Sequence, residues 1–481
     1  IAADAPGQVT LDPVKASILS GLGEPDLFRG LQMLPGVSSM DESSSRLNIR
    51  GGTPSQNLIL MDGITLYQPS HFFGLLGTVN NHAVKDVNLY RGGYDARYGG
   101  RTAGIIDITG RPGQTTEDSY GSSANMLNLN GYIEIPLKKE KLSVMLAGRS
   151  SYSNPEQIEI WPYQELIRNQ LQEGDFFNKT QGENLNINPL YRFRDANAKL
   201  VWLASDDDLI SVSLYGSIDR LKYGADLLKV VGIQRSQQEL SMHSKGANIS
   251  WNHQWDKNWY SKTHVTYSGY LQNYDASTQE ESGEYSIQVD QDNIVRDFSI
   301  RHDHEWEINR RDKLEAGFFV QNFQTSHLTN FERFGEWING RESMLSGTLA
   351  GAFGQYHLLP DHEKFDLKLG LRYQYYIPTE AHYVEPRISS VYHVSDRFKL
   401  KATFGRYNQF IQLVPTVNEA GIAQEYWAIA GQDSLPVSNA THFILGVNYQ
   451  TGNWTFDLEL YRYGYGNLIG DTTQFSGLYN Q

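Results

Sequence analysis

From about residue 120 onward the chain is written in a two-residue rhythm, and that rhythm excludes most folds. Within 365–375, Leu367, Leu369, Leu371, Tyr373 and Tyr375 fall on one side, and Asp366, Lys368, Gly370, Arg372 and Gln374 on the other. Trp454, Phe456, Leu458 and Leu460 alternate in the same way with Thr455, Asp457, Glu459 and Tyr461. An extended strand sends successive side chains to opposite faces, so each segment predicts a β-strand with one apolar and one polar face. The pattern returns in 142–149, 209–219, 259–270, 312–324 and 398–406. In all there are about fourteen such segments at hairpin-like spacing.

Alternation alone leaves two architectures open. In a soluble sandwich the apolar face meets a second sheet, whereas in a transmembrane barrel it meets lipid and the polar face lines a lumen. Three features favour the barrel. So many consecutive strands without helices exceed what an ordinary sandwich uses, and many reach the roughly 9–11 residues a tilted strand needs to cross a bilayer. Aromatics gather at segment ends, as in Trp251, Trp255, Trp259 and Tyr260, or Tyr461, Tyr463 and Tyr465. Interfacial belts would put them there, although Tyr and Trp are also good strand formers. Tight turns at 138–141, 205–208, 256–258 and 395–397 contrast with long polar connections at 154–189 and 408–438, and a shorter one at 331–343. Short turns at one end and long loops at the other are the asymmetry of an outer-membrane barrel.

Composition agrees. No apolar run approaches the ~20 residues of a membrane-spanning helix. The 481 residues include 29 Tyr and 9 Trp but no Cys, which excludes disulfides and thiolate metal sites and is compatible with the bacterial envelope. A formal net charge of −14 argues against a nucleic-acid partner. No secretory leader is visible at Ile1.

The first 112 residues or so have a different texture. Leu27, Leu31 and Leu34 share one face of a helix predicted over 25–34, with Asp26 as its cap and Pro35-Gly36 as its stop. Short strands are expected at 46–50, 57–61 and 84–90, each closed by a turn signal: Gly51-Gly52, Asp62-Gly63 and Gly92-Gly93. Together these predict a small α/β globule.

That globule ends in RGGYDARYGGRTAGIIDITGRPG (91–113). A phosphate-binding loop would need Gly-Lys-Ser/Thr opening a helix, and none is present. RNA-binding Arg-Gly-Gly tracts are repeated and disordered, whereas these pairs are isolated and flanked by strands. The glycines Gly51, Gly52, Gly63, Gly92, Gly93, Gly99 and Gly100, with Asp62, read as turns.

Residues 24–112 resemble the plug domain of TonB-dependent outer-membrane receptors. The matching runs, in order, are LQMLPGV (31–37), LNIRGGTPSQNLILMDGITLY (47–67), VKDVNLYRGGYDARYGG (84–100) and GIIDITGRPG (104–113). PSQNLILMDG, YQPSHFFG (67–74) and ARYGGRTAGIIDI are most similar to the FecA-like receptors of Bacteroidetes. Weaker echoes in the second part are EPRISSVYHVSDRFKLKATFGRYNQF (385–410), ATHFILGVNY (440–449) and LELYRYGYGNLI (458–469). The resemblance implies a mainly β protein: a transmembrane antiparallel barrel, 114–481, with the small α/β plug, 1–113, inside its lumen. Plugged barrels of this type have 22 strands. The expectation is therefore that the native polypeptide continues past Gln481 by about eight strands, and that a coupling segment precedes Ile1.

The resemblance further implies an outer-membrane active transporter in a Gram-negative, Bacteroidetes-like bacterium. It would import a scarce ligand by plug movement coupled to the inner-membrane proton gradient. A ferric siderophore or other metal chelate is favoured, with a glycan or peptide as other cargoes. Expected partners are a TonB-like energy-coupling protein, outer-membrane lipid, and a surface lipoprotein or larger envelope complex. The alternative is a structural barrel subunit of an envelope or secretion assembly. A plug that must shift suits exchangeable charged contacts, so Arg50, Arg91, Arg97 and Arg101 are the expected grip, with Glu385, Asp457 and Glu459 as their lumen-facing partners. Tyr67, His71, Phe72 and Phe73 are the candidate ligand contacts, with the connections 154–189 and 408–438 around them.

Other chemistry is thin. In His302-Asp303-His304-Glu305, alternation separates the histidines from the carboxylates, which disfavours a metal site. Asp206-Asp207-Asp208 reads as a solvated turn. No nucleophile elbow, His-Glu-x-x-His helix or carboxylate pair appears, so neither an enzyme nor a cofactor is expected.

Overall fold

The computed structural model describes residues 6–11, 20–21, 24–39, 46–71, 74, 76–125, 127–152, 190–226, 233–280, 282–358, 364–417, 423–431 and 435–469. The candidate contacts Phe72 and Phe73, and the connection 154–189, lie outside them.

The first part is built from short elements. Strands β1 (Gln8–Leu11), β2 (Ser20–Gly21) and β3 (Glu24–Pro25) precede helix α1 (Leu27–Gln32). Then come β4 (Val37–Ser39), β5 (Leu47–Ile49), β6 (Leu58–Met61), β7 (Ile64–Thr65), β8 (Ser70–His71), β9 (Leu76–Gly77), β10 (Val84–Tyr90) and β11 (Ile105–Gly110). A five-stranded sheet runs in the order β1-β10-β11-β6-β7, parallel only where β11 meets β6. Asp26 caps the predicted helix, its Oδ1 accepting from the Phe28 amide at 2.8 Å, while its Oδ2 accepts from the Gly77 amide at 2.7 Å. One carboxylate thus closes the helix N-terminus and ties it to β9. Phe28, Leu31, Ile49, Val87, Ile106 and Ile108 are fully buried in the core beneath.

The second part is one antiparallel sheet of fifteen strands, one more than the sequence count. It contains β12 (Ser119–Ala124), β13 (Asn128–Lys138), β14 (Leu142–Ser151), β15 (Leu190–Leu203), β16 (Asp208–Asp226), β17 (Ile233–Asp256), β18 (Trp259–Glu280) and β19 (Tyr285–Glu307). It continues with β20 (Asp312–Arg333), β21 (Glu336–Leu358), β22 (Phe365–Tyr376), β23 (Ala381–Ser395) and β24 (Phe398–Gln409). A separate hairpin, β25 (Ile411–Val417) and β26 (Ala423–Ile429), is inserted before β27 (Ser438–Thr451) and β28 (Trp454–Gly466). Among the described residues the edge strands β12 and β28 do not pair with each other.

The alternation resolves as a barrel wall. Leu369, Leu371, Tyr373, Leu445, Phe456 and Leu458 stand exposed on the outer face, while Arg372, Gln374 and Lys401 are buried inward. Trp255 stacks on Trp259 and Trp259 on Trp306 beside the tight turn at 257–258, a short interfacial belt. His302 and His304 belong to this outward face. Their Nε2 atoms are 2.9 Å apart, and His304 stacks on Trp306. The 331–343 connection is not a loop: β20 and β21 meet through a two-residue turn at Phe334-Gly335, both with positive φ. Alternation of polar residues there had hidden strand that extends past the membrane band.

Candidate functional site

The sheet wraps the first part, so the candidate site is the interface between plug and lumen. Contacts run round the wall. Asn80 bonds Asn130 on β13 (2.8 Å), the Thr65 amide donates to Ser268 on β18 (2.9 Å), and the Ala96 amide donates to Gln355 on β21 (2.9 Å). Polar pairs thus run round the interface, beside apolar clusters that join Tyr67 and Leu76 to Tyr191 and Phe193, and Tyr94 to Tyr407.

Glu459 on β28 is the densest junction. Its Oε1 accepts from the Gly7 amide at 2.8 Å, and its Oε2 from the guanidinium groups of Arg50 and, at 3.4 Å, Arg91. Arg50 lies over the Tyr461 ring, 4.7 Å from the centroid, and donates to the Tyr463 hydroxyl at 3.2 Å. All three charged groups are buried, where an ion pair is held by geometry and an unpaired charge is costly.

The other expected partners are arranged differently. Arg97 pairs with Glu315 (3.2 Å) and Asp95 (3.6 Å), neither of which had been singled out. Asp457 is held by Lys401 of the barrel at 3.0 Å. Glu385 is held by Arg387 at 2.7 Å and by Gln374 at 2.8 Å, also barrel residues. Arg101 has no carboxylate within ion-pair distance among the described residues. It donates to the Gly100 carbonyl and lies over the Trp427 ring at 5.4 Å and the Tyr67 ring at 6.0 Å. Burial pulls its guanidinium below the ordinary value, against Tyr67 and Asp297.

The barrel therefore grips as much as it is gripped. Arg387 donates to the carbonyls of Tyr94 (3.2 Å) and Asp95, and Arg372 to those of Ala96 (3.2 Å) and Arg97 (3.1 Å). Lys199 donates to Asp62 (2.6 Å) and the Gly110 carbonyl (3.0 Å). No motif marks these residues; only their inward parity in an alternating strand hints at them.

Two of the glycines now have a steric reason. Gly92 has φ 119°, and a Cβ there would overlap the Tyr463 hydroxyl. A Cβ on Gly99 would sit 2.5 Å from Arg372 Nε. They are bare because the plug backbone presses on the wall.

Two candidate ligand contacts prove to be wall contacts. The ring of His71 is fully buried, with Nδ1 2.9 Å from both Asp219 oxygens and Nε2 3.0 Å from Asp195 Oδ2. Arg149 anchors Asp195 at 2.7 Å and reaches the Gly77 carbonyl at 2.7 Å. Burial would lower the His71 pKa, but the Asp219 charge and the hydrogen bonds that the ring donates to both carboxylates outweigh it and raise it above the ordinary 6.5. Tyr67 is buried too, donating to Asp297 at 2.9 Å.

The 408–438 connection contains a folded device. Its hairpin β25–β26 enters the lumen, where Trp427 meets Tyr67 edge-on at 5.2 Å. Asn293 on β19 both accepts from the Trp427 amide (2.8 Å) and donates to its carbonyl (3.1 Å). Tyr426 stacks on His327 at 4.0 Å, and Glu425 pairs with Arg46 at 2.5 Å. A cavity of about 430 Å³ lies between plug and wall, lined in part by Tyr67, Arg97, Arg101, Asp107, Lys262 and Arg301.

Comparison with known proteins agrees with this arrangement. Residues 2–106 match the family model described as TonB-dependent Receptor Plug Domain, and residues 174–481 that described as TonB dependent receptor-like, beta-barrel. No curated protein sequence matches. A mutant of the Pseudomonas aeruginosa ferric enterobactin receptor is similar in fold, with TM-score 0.65 and 15% identity over 96% of this chain and 71% of that one. The siderophore receptor PirA of Acinetobacter baumannii matches with TM-score 0.65 and 16% identity over 96% and 71%. The ferric yersiniabactin uptake receptor of Yersinia pestis gives 0.65 and 13% over 96% and 72%. At such identities the likeness is one of fold. With a plug seated in a strand-built wall and a barrel model matching more than half its length, the chain belongs to the TonB-dependent receptors, β-barrel proteins of the outer membrane.

Proposed function

We propose that this receptor imports a ferric siderophore, or a metal chelate of similar chemistry, by moving its plug. In this reading residues 1–113 are the moving part and 114–481 the wall. One observation carries it. Gly7, at the N-terminal end of the described plug, donates to Glu459, and its carbonyl accepts from the Arg91 amide at 2.8 Å. A pull from the N-terminal side therefore arrives first at the carboxylate that holds Arg50 and Arg91. Because that carboxylate is shared, displacing it removes the charge partner of both arginines at once, leaving Arg50 on the Tyr463 hydroxyl and Arg91 on the Pro35 carbonyl. The periplasmic protein TonB, the family's energy-coupling partner, would supply the pull. No bond is made or broken.

The ferric enterobactin and yersiniabactin receptors among the similar structures favour a metal chelate as cargo. Arg101, held by rings rather than a carboxylate beneath Trp427, would meet an anionic chelate once hairpin 411–429 withdraws. The phrasing of the plug supports a FecA-like, Bacteroidetes-type receptor, for which a surface lipoprotein is a fitting companion.

The test is uptake of iron-55 loaded on purified siderophores by cells carrying the full-length receptor. Uptake should vanish without TonB while surface binding in the cold persists. Accumulation that survives loss of TonB would overturn the proposal.

A further inference from the structure

The outward face of the barrel carries a groove that plug movement does not use. Gly131, Gly148, Ala196 and Gly216 stand directly opposite one another across β13–β16. The same cross-strand row continues through Lys245, Gly269 and Arg296. Alternation puts this row outside, two residues from the exposed Leu146, Leu214 and Phe298. With so little side chain along the row, the wall is hollowed into a groove of about 1010 Å³. Leu129, Ile218 and Leu271 form one flank, and Tyr267 stands on the other.

Arg194, Lys245 and Arg296 line this groove, all three are exposed, and among the described residues none has a carboxylate within ion-pair distance. The outward row nearer the tight turns is apolar, through Val212, Ile249, Val265 and Ile300. Lys245 and Arg296 stand loopward of that row, and Arg194 stands one outward row further among Ile218, Leu271 and Ile294. The cations therefore lie in the half of the wall toward the long loops, which in this family is the outer leaflet. They sit on alternate strands, β15, β17 and β19, so Lys245 and Arg296 are about 10 Å apart, with Arg194 offset by two residues along its strand. A positive set beside an apolar trough is complementary to an acyl chain carrying phosphate, and to little else that a membrane offers.

We propose that this groove binds an outer-leaflet lipid with more than one phosphate on its headgroup. An acyl chain lies over the glycine and alanine floor, and the phosphates lie among Arg194, Lys245 and Arg296. Phosphate suits guanidinium forks and a lysine point charge together.

The test uses full-length receptor in detergent, with bis-phosphorylated lipid A as the probe and native mass spectrometry as the readout. The receptor should hold this lipid more tightly than the monophosphoryl form. Changing Arg194→Gln, Lys245→Gln and Arg296→Gln together should weaken binding by about a hundredfold at low salt. A second variant, Gly148→Leu with Gly216→Leu, keeps the cations and fills the trough. A Cβ at these positions meets a single backbone oxygen, at 3.7 and 3.9 Å, so the wall should still fold. It should lose the lipid as well. Heat-modifiable gel mobility checks that each variant is folded. Equal binding of the two lipid forms, or undiminished binding by the leucine variant, would overturn the proposal. So would displacement of the lipid by millimolar inorganic phosphate, which would make a free anion the ligand.

Discussion

Arg50 and Glu459, 409 residues apart in the chain, form a buried ion pair that joins plug to barrel. Arg50 reaches it from a left-handed backbone conformation, φ 49°, just before Gly51 at φ 83°. A tight turn therefore aims the guanidinium at the last described strand of the wall. Replacing Glu459 with Ala would leave two buried guanidinium groups and the Gly7 amide without their partner. The cost should be about 3–5 kcal/mol of plug seating, read as faster hydrogen exchange across β1 and β10. Arg50→Ala on top of Glu459→Ala should add much less than its effect alone, because the pair is already broken.

Gly92 and Gly100 separate close approach from backbone strain. Gly100 has φ 77° with open space around it, so Gly100→Ala should cost only the left-handed penalty, about 1–2 kcal/mol. Gly92→Ala adds an overlap with the Tyr463 hydroxyl and should cost clearly more. Thermal unfolding of the two variants side by side checks the order.

The His71 clamp should make plug seating pH-dependent. Its pKa is raised in the folded protein, so its contribution is fully present below about 6.5 and is lost as pH rises through the folded value. Asp195 and Asp219 face the ring directly, with Arg149 and Tyr191 bonded to those carboxylates in turn. Protection factors at β8 and β9, corrected for the intrinsic pH dependence of amide exchange, should therefore fall from neutral to alkaline pH. In His71→Gln that slope should flatten.

The proposed chelate would meet Arg101, which Trp427 covers. Arg101→Ala should weaken chelate binding by about 1.5–3 kcal/mol, the range of a hydrogen bond to a charged group. Trp427→Ala should speed association by loosening the hairpin. Tryptophan fluorescence titration of both variants against the parent distinguishes the effects, and unchanged affinity in Arg101→Ala would place the chelate elsewhere.

Much of the fold was legible because strand geometry is local. The faces of 365–375 follow from parity alone, and the cap at Asp26 follows from one residue and its two neighbours. Strand parity marks Glu385, Asp457 and Glu459 alike as lumen-facing, and nothing near Glu459 distinguishes it from Asp457 two residues away. Both point inward, yet Asp457 on β28 meets Lys401 on β24 across β27, while Glu459 meets the plug. Arg372 and Arg387 escaped notice for the same reason: their partners are backbone carbonyls 275 and 292 residues away, and a carbonyl leaves no mark in a sequence.

By itself, then, the sequence determined most of the strands with their two faces, the tight turns and the helix of the plug, because each depends on neighbours a few residues apart; it missed the strand through 331–343 and the hairpin β25–β26. The tertiary structure alone decided which charge meets which: that His71 is clamped by two carboxylates, that Trp427 on β26 lies over Arg101, and that four small residues on four strands align into a groove. Those facts depend on register and on the curvature of a sheet around its plug, which bring together side chains hundreds of positions apart.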